Sequence, residues 1–89
     1  MKRVFKYPLS IAGETTIEMP KGANVLTIQV QRREPYIWAM VEDDAPMEAR
    51  AFCVRGTGHT FNGREGRYVG SFQLLNGDLV FHLFEAVAS

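Results

Sequence analysis

Ser71-Phe72-Gln73-Leu74-Leu75-Asn76-Gly77-Asp78-Leu79-Val80-Phe81-His82-Leu83-Phe84 is the stretch that decides the fold. Asn-Gly is the preferred pair for a type I′ turn, because both central residues take positive φ and the turn's twist matches the strands it joins. The residues on either side place apolar groups at alternating positions, the period of a half-buried strand. A two-residue loop at Asn76-Gly77 fixes the register. It pairs Leu74 with Leu79 and Phe72 with Phe81 on one face, read as core, and Gln73 with Val80, Ser71 with His82 and Val69 with Phe84 on the other.

Working outward, the same period recurs in short runs separated by Gly, Pro, Asn and Asp: Arg3 to Leu9, Glu14 to Met19, Val25 to Gln31, Tyr36 to Val41 and Glu48 to Arg55. Phe5 and Tyr7 share a face, as do Ile17 and Met19. Met19-Pro20-Lys21-Gly22 is a turn by composition. Arg32-Arg33-Glu34-Pro35 reads as a four-residue hairpin loop. With Gln31 opposite Tyr36, the core face holds Leu26, Ile28, Val30, Ile37, Ala39 and Val41. The opposite face holds Thr27, Gln29, Gln31, Tyr36, Trp38 and Met40. Phe52 and Val54 oppose Ala49, Ala51 and Cys53 across their strand. Ala45 to Arg50 has room for one short helical turn and no more. The expected fold is all-β and mainly antiparallel, a small sandwich or partly open barrel of about six or seven strands, with residues 1–89 forming a single domain.

Composition bounds the function. A chain of 89 residues has room for one core. A domain of this size buries only about two thirds of the surface its unfolded chain exposes, so a homo-oligomer is expected to add to that burial. Ten Lys plus Arg balance ten Asp plus Glu, leaving no excess positive field to gather a phosphate backbone. Sequence-independent nucleic-acid binding is therefore not expected, and neither a sequence-specific nucleic acid nor a membrane is an expected partner. The adjacent Arg32 and Arg33 and the group Arg55, Arg64 and Arg67 still leave room for a local basic patch. The one cysteine, Cys53, cannot form an intramolecular disulfide or a cysteine-rich zinc site, which fits a reducing cytoplasm. Lys6 and Pro8 interrupt the N-terminus before any signal-peptide core forms. No segment approaches the roughly 20 apolar residues of a membrane span, so a soluble protein is expected.

The candidate binding loop is Arg55-Gly56-Thr57-Gly58-His59-Thr60, within the glycine-rich segment Gly56 to Gly66. Glycines let backbone N–H groups approach an anion, while Arg55, Thr57, His59 and Arg64 supply charge and hydrogen bonds. The competing reading is a loop whose glycines serve positive φ alone. The loop lacks the Lys-Ser/Thr ending and following helix of a phosphate loop. Of the two imidazoles, His59 and His82, His82 lies in an apolar run and reads as a hydrogen-bonded sheet residue. His59 is the candidate functional one. Cys53 reads as a small buried thiol, and Asp43-Asp44 as solvated turn residues. Trp38 and Tyr36 on one strand face are positioned to stack a planar ligand or anchor a subunit contact. No catalytic constellation, metal site or cofactor is expected.

Lys6-Tyr7, Met19-Pro20-Lys21-Gly22-Ala23, Trp38-Ala39, Gly56-Thr57-Gly58-His59 and Val80-Phe81-His82-Leu83-Phe84-Glu85 together resemble a family of small proteins carried by bacteriophages and prophages. The resemblance spans nearly the whole chain. It implies a phage accessory protein in the host cytoplasm and carries over no catalytic residue. Such proteins often counter bacterial immunity, so the expectation is an anti-defence factor. It would sequester a nucleotide-like signal, using Arg55, His59 and Arg64 on phosphates and Trp38 or Tyr36 on a base, or inhibit a host defence protein. The alternatives are a minor virion or assembly component and a small enzyme using His59 as base.

Overall fold

Alternating side chains build two antiparallel sheets in a computed structural model that describes residues 1–87. The strands are β1 (Lys2–Pro8), β2 (Glu14–Pro20), β3 (Asn24–Gln31), β4 (Glu34–Glu42), β5 (Met47–Gly56), β6 (Glu65–Leu74) and β7 (Leu79–Ala86). One sheet has the order β1-β4-β3, the other β2-β5-β7-β6. The expected all-β, antiparallel architecture is therefore present, as two separate sheets and not a closed barrel. The shortest dimension, 16 Å, suits two layers packed about 10 Å apart. The core lies between the inner faces, where Ile37, Ala39 and Val25 meet Phe52, Met19 and Leu83, all at most 1% exposed.

The β6–β7 hairpin has the register read from Asn76-Gly77 over its upper half, from Leu74 opposite Leu79 to Gly70 opposite Leu83. Asn76 and Gly77 take φ of 55° and 91°, and the Asp78 N–H bonds the Leu75 carbonyl at 3.0 Å. Leu75 also takes positive φ, 52°, so Leu75 and Asp78 leave the ladder and the tip winds into a single 3₁₀ turn, Leu75–Gly77. Ala45 to Arg50, the expected place for a helical turn, instead enters β5, whose ladder with β2 begins at Met47. Lower in the hairpin the register shifts twice, and Tyr68, not Val69, stands opposite Phe84. Each bulge adds a residue to one strand and reverses the alternation. Val69 consequently turns inward and packs on the core. Leu79, expected in the core, is 41% exposed beyond the facing sheet.

The β3–β4 hairpin corrects a second expectation. Gln31 opposes Glu34, not Tyr36, and the loop is the two residues Arg32 and Arg33, at φ of 53° and 71°. A shift of two residues preserves the parity of the faces. Ile28, Ile37, Ala39 and Val41 are therefore buried as expected. A bulge between Val25 and Thr27 makes Leu26 the extra residue. Upstream of it the alternation reverses, so Val25 is buried while Leu26, expected inside, is 44% exposed. Val30, at the open end of the sandwich, is also exposed.

Candidate functional site

Strand β5 ends at Gly56 and the chain re-enters the sheet at Glu65. The intervening loop folds over the outer face of the four-stranded sheet, where β5 and β7 place Cys53, Arg55, His82 and Phe84. Phe61 meets the ring of Phe84 edge-on at 5.2 Å, and Tyr68 flanks the same ring at 5.4 Å. Beneath the loop, Arg55 Nε donates to Glu65 Oε2 at 2.6 Å. Its Nη1 donates to the Gly13 carbonyl at 2.6 Å and its Nη2 to Asn62 Oδ1 at 3.3 Å. The Glu65 carboxylate also accepts the backbone N–H groups of Asn62 and Gly63. Both side chains of this pair are largely withdrawn from water, at 11% and 4% exposure. Burial pushes the Glu65 carboxyl upward, but the backbone N–H groups of Glu65 and Asn62 and the Arg55 guanidinium outweigh it and hold the group below its usual range.

Arg64 closes the far end of the loop. It donates to Glu14 Oε1 at 2.9 Å and to the Val87 carbonyl at 2.8 Å, and its hydrogen bond holds the Glu14 carboxyl below the usual range. Cys53 lies under this lid, fully buried, with its Sγ 3.7 Å from the Arg64 carbonyl. Burial pushes the thiol upward in pKa, away from nucleophilic character. The structure thus covers a strand face that its period alone would leave to solvent.

Three of the loop's glycines, Gly58, Gly63 and Gly66, meet a backbone requirement. Gly58 and Gly63 take φ of 87° and 89°, and a Cβ on Gly66 would lie 2.6 Å from the Glu85 carbonyl oxygen. Gly56 lies under the ring of the exposed His59, whose N–H bonds the Gly56 carbonyl at 3.1 Å. Arg55, Gly56, Thr57, Gly58, His59 and Arg64 are therefore one cluster around the loop. Tyr36 and Trp38 are not part of it. They project from β4 on the outer face of the three-stranded sheet, on the far side of the sandwich. One chain cannot close both groups around one ligand.

His82 is the hydrogen-bonded sheet residue its apolar run predicts, and its bonds extend into a chain on the loop side that sequence reasoning did not trace. His82 Nε2 lies 2.8 Å from Thr57 Oγ1 and its Nδ1 2.7 Å from Ser71 Oγ, which in turn meets Tyr68 Oη at 2.6 Å. The signal was present, since the hairpin register already paired Ser71 with His82. Hydroxyls occupy both imidazole nitrogens, so the ring lacks the orienting carboxylate of a nucleophile–base–acid triad. Among the described residues, no group of three His, Cys, Asp or Glu is placed to hold a metal.

On the other face, Lys6 Nζ stands 4.6 Å from the Tyr36 ring centroid and 5.7 Å from that of Trp38, within cation–π range. It also donates to Gln31 Oε1. Trp38 is half-buried and its indole N–H has no hydrogen-bond partner. Val4, opposite Met40 on the same face, is 54% exposed. This face combines aromatic area, a thioether and the Lys6 ammonium.

Among the described residues no helix is long and apolar enough to cross a membrane. No curated protein and no solved structure matches the chain. Over residues 1–89 the sequence matches the family described as a domain of unknown function, DUF7352, and the chain belongs to that family.

Proposed function

We propose that this is a non-catalytic binding protein of phage origin, an anti-defence factor that acts in the host cytoplasm by contacting a host immune protein through the outer face of the three-stranded sheet. The observation that carries the reading is the state of the arginines. Arg55 and Arg64, the groups a nucleotide's phosphates would need, are each held by a carboxylate of the same chain. Releasing either one to a phosphate forfeits an existing charge-assisted bond. Tyr36, Trp38, Met40 and Val4 instead present aromatic and apolar area outward, the composition of a contact core. Sequestration of a nucleotide between two copies of the chain is the second reading, supported by the exposed His59 and the nearby Thr57.

The test is expression of the protein in bacteria carrying defined immune systems, challenged with a phage that those systems restrict. Wild type and His59→Ala are expected to restore plaques, and Trp38→Ser to fail while keeping its β-sheet circular dichroism. Failure of the wild type against every system would overturn the anti-defence reading. A nucleotide that co-purifies with wild type but not with His59→Ala would replace contact by sequestration.

A further inference from the structure

Two hairpin tips and the β1–β2 connection meet at one end of the sandwich around an open cavity of about 700 Å³, a size typical of small-molecule sites. Its walls are mainly aliphatic, from Ile11, Val30, Leu74, Leu75 and Leu79, with the amides of Gln73 and Asn76 beside them. Leu75 is 67% exposed and Ile11 48%, so apolar area is left open to water there. Arg33 stands in the same wall. Among the described residues it forms no ion pair, in contrast to Arg3, Arg50, Arg55 and Arg64.

The backbone around the cavity is a second, independent observation. The non-glycine residues with positive φ are Arg32, Arg33, Leu75 and Asn76, and all four sit in these two tips. The left-handed region crowds the Cβ of an L residue, and Asn or Gly is the usual solution. The β6–β7 tip uses that solution at Asn76-Gly77. The β3–β4 tip makes a tighter, two-residue turn from Arg-Arg. A position required only to turn the chain has no use for two arginines, so their side chains, not their backbone, account for their presence.

An aliphatic trough with one free guanidinium in its wall matches a ligand with an apolar body and a single planar anionic head. We propose that this end of the molecule binds a free medium-chain fatty acid, its chain along Val30, Leu75 and Leu79 and its carboxylate on Arg33. A guanidinium fork fits a carboxylate with two parallel hydrogen bonds. Glu34 and Asp78 also stand in these tips, but Arg33 is the charged residue that lines the cavity, so the charge a ligand in the trough meets is positive. This site is separate from the contact face proposed above and does not depend on it.

The experiment is calorimetric titration of the full chain with decanoate below its micellar concentration, beside decanol as the uncharged analogue. Wild type is expected to bind decanoate at least roughly tenfold more tightly than decanol, the scale of one charge-assisted contact. Arg33→Gly removes the charge and relieves the positive φ together. Its melting temperature should hold or rise while decanoate affinity falls by a similar factor. Leu75→Asn should likewise keep the fold and weaken both ligands. The proposal is overturned if wild type takes up no decanoate or if Arg33→Gly binds it unchanged. A concentration-dependent dimer that Leu75→Asn dissolves would also overturn it, by assigning the trough to a second copy.

Discussion

On the outer face of the four-stranded sheet, Arg55 lies against Glu65 beneath a folded loop, and Arg64, at the end of that loop, against Glu14. On the outer face of the three-stranded sheet, Lys6 stands over Tyr36 and Trp38 with a neutral amide, Gln31, as its hydrogen-bond partner. Both faces carry cations and aromatic rings, yet their physical states differ. The first face is closed by the chain's own carboxylates and by Phe61 against Phe84, so its charges are committed to folding. On the second, the aromatic rings are covered by the Lys6 ammonium, which no carboxylate holds and which a partner can displace at small cost. A cluster of chemically attractive residues indicates function only after its internal partners are known, and here those partners redirect attention from the loop to the strand face behind it.

The sharpest way to break this contrast is to remove the carboxylate that ties the loop down. Glu65→Ala leaves the Arg55 guanidinium without its counter-charge in a site largely withdrawn from water, and deletes the acceptor for two backbone N–H groups. Loss of one member of a buried pair is far more damaging than the pair is stabilising. A fall in Tm of roughly 10 °C or more is expected for a chain of this size. Because the same loop covers Cys53, the variant's thiol should also react with a soluble disulfide reagent at a rate the wild type does not approach. A Tm unchanged within error would show that the loop is not a structural lid.

Gly66→Ala tests the same face through shape alone. The added methyl meets a backbone carbonyl, that of Glu85, and a backbone atom cannot rotate away as a side-chain tip can. Overpacking of this kind is expected to cost about 1–3 kcal/mol, read from urea denaturation. Gly56→Ala, where the obstacle is the exposed His59 ring, should cost less because that ring can swing aside. Equal losses at the two sites would remove the distinction.

The pH dependence is a smaller effect with a definite sign. Glu14 and Asp43 are held below their usual range by hydrogen bonds from Arg64 and Arg3, respectively, and Glu65 by the N–H groups and guanidinium around it. A carboxyl whose folded pKa lies below its unfolded one binds fewer protons in the native state. Its contribution is therefore present above the unfolded value, near 4.5 for the two glutamates, and is lost as pH falls through the folded value. Tm should be flat near neutrality and decline below about pH 4.5. Glu14→Gln should flatten part of that decline while lowering Tm at pH 7 less than Glu65→Ala does. An acid limb unaffected by Glu14→Gln would mean that Arg64 gains nothing from its partner.

The sequence made one hairpin legible and obscured the other for the same physical reason. Asn76-Gly77 advertises positive φ, so the hairpin and its Ser71–His82 pairing follow directly, while the 3₁₀ turn that starts at Leu75 replaces the expected two-residue tip. Arg32-Arg33 adopts positive φ without either residue favouring it, and the true two-residue loop was hidden behind a longer one. The bulges at Leu26 and below Gly70 were not legible, because a bulge is set by how the strand must bend around the facing sheet and not by its own alternation. Arg55 and Arg64 stood out as candidates, but Glu14 lies 50 residues from Arg64 along the chain, a pairing that only the topology supplies. Cys53 was read as buried; what buries it is the loop, which no periodicity describes.

The smallest effect bears most directly on the open face. Lys6→Ala removes the ammonium above Tyr36 and Trp38 and its bond to Gln31, interactions at an exposed site worth about 0.5–1 kcal/mol together. Stability should change by no more than that. Trp38 is the one tryptophan in the chain, so its fluorescence reports this face without deconvolution, and the emission of Lys6→Ala should shift to longer wavelength as water reaches the indole. If the face is the contact surface, the variant should still restore plaques, since the aromatic area that a partner buries is intact and the cation that must be displaced is gone. A variant that keeps the wild-type emission would show that Lys6 does not shield the ring. One that unfolds would show that this face, like its counterpart, is committed to the fold, and the contrast between the two would be lost.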